Sequence, residues 1–262
     1  MKLSVSNIGW PAEKDETVYA LMKDYGYCGL EIAPTRIFPK TPYDRLKKAG
    51  VWAEELKREY GLAISSMQSI WFGRQERLFG SRKERATLVE YTKKAIEFAA
   101  AIGCDNLVFG CPGNRAIPDD ADPAIGVSFF KEVSDYAIKN DTVIGIEANP
   151  PIYNTNYINN TLAAIQLIEQ VDSRGFRLNL DVGTMIKNRE PVDILTGKVR
   201  YINHVHISEP GLRPIRKRTF HEELKEQLLA EGYRGYVSIE LGKTGGLDDL
   251  NSAIKYVKET FG

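Results

Sequence analysis

Eight short apolar runs, each followed by a stretch of helical periodicity, constrain this chain more than any other feature. They are Leu3 to Ser6, Gly29 to Ile32, Ala63 to Gln68, Asn106 to Phe109, Val143 to Glu147, Leu178 to Asp181, Asn203 to Ile207 and Val237 to Glu240. Runs this short and this continuously apolar suit strands covered on both faces, as in a parallel sheet. Helices are expected at Asp15 to Tyr25, Lys47 to Tyr60, Lys83 to Ile102, Ala124 to Lys139, Thr161 to Val171, Phe220 to Ala230 and Leu247 to Thr260, with a short one starting at Pro191 to Leu195. In the third of these, Leu88, Tyr91, Ala95, Phe98 and Ala99 recur on one face. Gly26, Gly61 and Gly103 follow helical stretches, where a left-handed residue closes the last turn.

This alternation over 262 residues predicts a (β/α)₈ TIM barrel of the α/β class. The competing architecture is an open, doubly wound sheet. That fold usually carries Gly-x-Gly-x-x-Gly after its first strand, and the motif is absent. Composition shifts nowhere along the chain, so residues 1–262 are expected to form one domain.

Four of the runs end in groups that do not belong in an apolar interior: Glu147, Asp181, His206 and Glu240. A charge closing a buried strand is costly unless it is paired. In barrels of this kind, active sites gather at the C-terminal ends of the strands. That rule brings Trp10, Glu31, Gln68, Glu147, Asp181, His206 and Glu240 into one ring. Carboxylates so placed repel one another in a low dielectric, and a divalent cation removes the conflict. Hard oxygens with one imidazole suit Mn²⁺, Mg²⁺ or Co²⁺, and Zn²⁺ is also compatible. The plainer alternative is that the acids are solvated or paired with Arg and Lys. His204 and His206 share a strand face. His206, nearer the strand end, is the ligand candidate, and His204 is placed one layer deeper as a hydrogen-bonding neighbour. His221 lies in a basic segment and is expected on a helix surface.

Other residues are candidates for substrate contact. Arg115 follows a Gly- and Pro-containing turn and offers a partner for a hydroxyl or phosphate, with an exposed loop arginine as the alternative. Gln68, Asn149 and Glu209 could meet substrate hydroxyls. Trp10, Trp71, Phe72 and Tyr153 could wall a substrate face, or simply pack. Arg213 opens the cluster Arg213-Pro214-Ile215-Arg216-Lys217-Arg218, which reads as an acid- or phosphate-recognising loop or as a solvated charge run.

Lys+Arg and Asp+Glu both number 35, so no global field draws the chain to nucleic acid or an anionic membrane. No apolar run reaches the ~18 residues of a membrane span. Cys28, Cys104 and Cys111 have no metal-site spacing. An odd cysteine count, with no leader-like start, leads to the expectation of a reducing cytoplasm. Homo-oligomers remain open.

The motifs Gly29-Leu30-Glu31-Ile32, Ile146-Glu147-Ala148-Asn149-Pro150, Leu180-Asp181-Val182-Gly183, His204-Val205-His206-Ile207-Ser208-Glu209 and Ser238-Ile239-Glu240 resemble those of the xylose isomerase-like barrels. Those include sugar and sugar-phosphate isomerases and epimerases. The resemblance covers nearly the whole chain at superfamily level. It implies Glu147, Asp181, His206 and Glu240 as metal ligands and a small carbohydrate as substrate. Glu147 and Glu240, from different sides of the ring, become the pair that exchanges protons through an enediolate. Two departures stand out. Thr184 occupies the position where many members have a His after the strand-six Asp, and Pro151-Ile152-Tyr153 replaces the further Glu and Arg of ketose 3-epimerases. The same barrel serves related metal-dependent lyases and dehydratases of keto-sugars or keto-acids, and a decayed site would leave a non-catalytic sugar-binding protein. Endonucleases sharing the barrel use a His-rich three-zinc cluster, which three histidines and zero net charge do not suit.

Overall fold

The computed structural model describes residues 1–243 and 246–262. Eight strands close into a parallel barrel in chain order, β8 returning to β1 through pairs such as Leu3 with Val237. They are β1 (Lys2–Ser6), β2 (Gly29–Ile32), β3 (Ala63–Met67), β4 (Asn106–Phe109), β5 (Val143–Glu147), β6 (Phe176–Asp181), β7 (Ile202–Ile207) and β8 (Tyr236–Ile239). The helices are α1 (Asp15–Asp24), α2 (Pro34–Ile37), α3 (Leu46–Tyr60), α4 (Arg82–Ala101), α5 (Ala124–Ile138), α6 (Thr161–Val171), α7 (Val182–Asn188), α8 (Thr219–Ala230) and α9 (Gly246–Phe261).

Local sequence sets the boundaries. Ser81 accepts from the backbone N–H of Glu84, whose side chain returns to the Ser81 N–H, forming a capping box at the start of α4. α3 stops at Gly61, whose φ of +72° costs a glycine little. α7 was not anticipated, because seven residues are too few to show a period. It starts at Asp181, whose carboxylate accepts the Thr184 N–H at 2.6 Å. The short helix expected from Pro191 is a single 3-10 turn, Val192–Leu195.

Each strand separates two environments. Val5, Ile32, Phe109, Leu180, Val205 and Val237 are buried in the layer between barrel and helices. Aromatic rings fill part of that layer: Phe130 of α5 lies 4.8 Å from both Phe109 and Phe176 between ring centroids. Alternate positions carry polar groups into the barrel. Ser4, Glu31, Asn106, Asn179, His204, His206 and Ser238 are all at most 1% exposed. Ser4 meets Ser65 at 2.5 Å although β1 and β3 are not neighbours. Asn106 donates to Ser66 at 2.9 Å. No described helix is long and apolar enough to cross a membrane.

Candidate metal centre

β5, β6, β7 and the residue after β8 deliver Glu147, Asp181, His206 and Glu240 to one point. One ligand atom from each lies within 4.8 Å of all the others. His206 Nδ1 is 3.0 Å from Glu147 Oε1 and 3.3 Å from Glu240 Oε2. On the other side of the ring, Nε2 is 2.8 Å from Glu31 Oε2, so a carboxylate of β2 fixes the imidazole from across the barrel. Both ring nitrogens thus face carboxylates, which can only accept; an ion held by the cluster would take Nδ1 and leave the proton on Nε2, toward Glu31.

Amides hold the carboxylates in place. Gln68 Nε2 bridges Glu31 and Glu240, 3.0 Å from an oxygen of each, and reaches Ser6 Oγ at 2.7 Å. Asn149 donates to Glu147 Oε2 at 2.8 Å, and Asn179 to Glu147 Oε1 at 3.0 Å. Ser208 donates to Asp181. Gly110 is required here by space: a Cβ would stand 2.9 Å from Glu147 Oε2.

Electrostatics show the crowding of negative charge. Burial, with the charges of Glu147 and Glu240, pushes the Asp181 carboxyl up to about 7. Burial also raises Glu240, with Glu147 and Glu31 adding to it against His206. Burial opposes a charge on His206, but Glu31 and Glu240 outweigh it and raise the imidazole well above its usual range. Glu31 goes the opposite way: burial would raise it, yet His206 and His204 hold it well below the carboxylate range. Three acids and one imidazole nitrogen converging on a point, with Asp181 driven toward the neutral form, are a donor set that a divalent cation fits. Glu31, His204 and His206 form a second buried group of metal-ligating type, behind the first.

A pocket of about 170 Å³ opens above the cluster, lined among others by Gln68, Glu147, Asn149, Tyr153, Asp181 and Glu240. Not every expected residue reaches it. Glu31 is wholly buried beneath the imidazoles. Trp10 is buried, with Nε1 donating to Asp15 at 2.7 Å. Trp71 is buried too, donating to Thr92 at 2.9 Å. Arg115 is fully buried rather than a loop arginine; it donates to Asn149 Oδ1 at 3.0 Å and to the Phe109 carbonyl at 3.2 Å. Its effect on the site passes through Asn149 to Glu147. Glu209 is occupied by Arg218, which donates to it at 2.7 and 2.6 Å. Arg213 is exposed and stands off the pocket lining. His221, expected at the surface, is buried and meets Tyr256 Oη at 2.9 Å. His204 lies one layer below His206, 3.2 Å from Glu31 Oε2. The Thr184 hydroxyl is spent on the Ala148 carbonyl at 2.8 Å, and its N–H on Asp181.

Asn179 and Ser208 were missed from sequence. Each sits two residues from a candidate ligand, Asp181 and His206 respectively, and the two-residue strand period was the available signal. Leu212 and Cys111, also on the lining, gave no signal.

The sequence model of the xylose isomerase-like TIM barrel matches residues 19–260. No curated protein matches the chain in sequence. Among solved structures, 3-keto-D-glucoside 4-epimerase from E. coli superposes with a TM-score of 0.76 at 18% identity, over 99% of both chains. D-psicose 3-epimerase from Clostridium cellulolyticum H10, determined with D-tagatose, gives 0.78 at 15% identity, over 100% of this chain and 99% of that one. An AP endonuclease of family 2 from Brucella melitensis gives 0.75 at 18% identity, over 98% of both. Identities this low establish a shared fold.

Proposed function

Since the chain belongs to the xylose isomerase-like TIM barrel family, we propose that it is a divalent-metal-dependent isomerase or epimerase of a sugar or sugar phosphate. The observation that carries this reading is the convergence of Glu147, Asp181, His206 and Glu240 beneath a pocket of one ring's size. Several of the solved structures sharing the fold are named as sugar epimerases. Mn²⁺, Mg²⁺ or Co²⁺ suits three hard carboxylates and one imidazole better than Zn²⁺, which favours fewer oxygens and more nitrogen or sulfur. Bound there, the ion would supply Lewis-acid polarisation of the substrate carbonyl.

The protein's own groups supply the proton transfers. Glu147 follows from β5 and Glu240 from β8, so their carboxylates approach the pocket from different walls. One takes the proton from the carbon beside the carbonyl, and the other returns one to the opposite face or the neighbouring atom. Asn149 and Asn179 aim Glu147, and Gln68 aims Glu240, so each base is held at fixed orientation. Tyr153, whose hydroxyl accepts the Gly211 N–H at 2.9 Å, closes one side of the pocket. A DNA-cleaving role is disfavoured, because His221 is spent on Tyr256 and only His204 and His206 approach the cluster.

The test is solvent exchange. Purified protein, stripped with EDTA and reloaded with Mn²⁺, is incubated in D₂O with a panel of ketoses, aldoses and inososes. Deuterium entering the carbon beside the carbonyl, only when metal is present, supports the reading. A protein that binds the ion yet exchanges no proton of any sugar overturns it.

A further inference from the structure

A second cleft opens on the same face of the barrel. Its volume is about 880 Å³, against about 170 Å³ above the ligand cluster. The smaller space falls below, and the larger within, the ~300–1,000 Å³ usual for small-molecule sites. Ile8 after β1, Thr35 after β2, Phe72 after β3 and Lys243 after β8 all line the cleft, so it is built from the strand ends opposite β5 and β6. Ser69 lines both cavities and joins them. It holds φ at +55°, which strains a residue with a side chain, and its hydroxyl donates to Gln68, the residue that orients Glu240.

Two features of the lining decide what the cleft suits. Phe72 is 69% exposed, leaving an aromatic face without a partner at the rim. Of the four cations on the lining, Arg36, Arg74 and Lys94 are paired with Asp15, Glu76 and Asp44 respectively, and Lys243 is the fourth. With both arginines engaged by carboxylates, the cleft offers no free guanidinium fork to a phosphate. An open aromatic ring beside hydroxyl-bearing Thr35 and Thr41 suits an uncharged, hydroxylated ring.

We propose that the substrate spans both cavities: one sugar ring over the carboxylate–imidazole cluster, and a second neutral ring, joined by a glycosidic bond, stacked on Phe72. The proposal rests on the isomerase reading and narrows its substrate to a glycoside or disaccharide.

Calorimetric titration of the Mg²⁺-loaded protein tests it, with D-fructose and D-tagatose as single rings and turanose, isomaltulose and lactulose as two-ring probes. At least one disaccharide is expected to bind about tenfold or more tightly than the free ketoses. Phe72→Ala should erase that advantage while leaving ketose binding unchanged, and Phe72→Trp should keep it. Phe72 is exposed, so neither variant threatens folding. Equal binding of one and two rings, or an advantage that survives Phe72→Ala, overturns the proposal and leaves the isomerase reading standing. Binding of Mg²⁺ with no affinity for any sugar removes both. A homodimer that dissociates on Phe72→Ala would identify a second copy as the occupant, and would also overturn it.

Discussion

The inside and the outside of the barrel wall are made of the same strands but obey different rules. Outside, Phe109, Phe130 and Phe176 pack ring against ring. Inside, Glu31, Asn179, His204 and His206 are just as buried, yet each is polar. Outer burial gains from leaving water; inner burial costs free energy that hydrogen bonds and ion pairs must offset. The outer layer therefore sets stability, and the inner one sets what the site can do.

Substitutions on each side of the wall should separate these roles. The largest effect is expected from Glu147→Gln. It keeps the size of the side chain but removes a base, and turns a donor toward one of the two amides, Asn149 and Asn179, that Glu147 accepts from; it should lower sugar turnover by ~10²–10⁴-fold with little change in melting temperature. Steady-state kinetics beside a thermal melt check it, and full activity in this variant would break the distinction. Phe130→Ala should do the reverse: a loss of ~3–5 kcal/mol in urea unfolding, with Mn²⁺ affinity unchanged while the protein stays folded. Glu31→Gln leaves His206 with a weaker acceptor on Nε2. Mn²⁺ binding followed by electron paramagnetic resonance should weaken by ~10–100-fold, although Glu31 is outside the proposed ligand set.

The smallest effect belongs to His221, on the outer side. Burial, aided by Arg218 and opposed by Glu209, drops its imidazole to about 4. The unfolded chain takes up a proton near pH 6.5, which the folded protein refuses until about pH 4. Stability therefore falls as pH drops from 6.5 to 4, by about 1 kcal/mol between pH 7.5 and 5.5. Urea unfolding of the wild type and His221→Asn across that range checks it: the variant should lack this part of the slope.

The outer side was legible in the sequence and the inner side only in part. Apolar runs and helical periods reveal the barrel because each is a local pattern, as in Leu88, Ala95 and Ala99 of α4. The convergence of Glu147, Asp181, His206 and Glu240 was legible for a related reason: each lies at or beside a strand end. His221 was misread from its charged neighbours, although Leu224 and Leu228 place it on the buried helix face. Glu31 was placed in the ring as a substrate contact, but its contact with His206, 175 residues away and reached through the barrel interior, was not legible. Arg115 read as a substrate contact or an exposed loop residue, and only the fold shows Asn149 and the Phe109 carbonyl waiting for it.

The link from Glu31 on β2 to His206 on β7 skips the strands between them, because β1 and β8 separate the two along the wall. It acts as a strut inside a cylinder, tying far sides that share no backbone ladder. Tension from an ion held at β7 would reach β2 through the two imidazoles that face Glu31, His206 and His204. A strand outside the proposed ligand set would thereby be made rigid by what its distant counterpart holds.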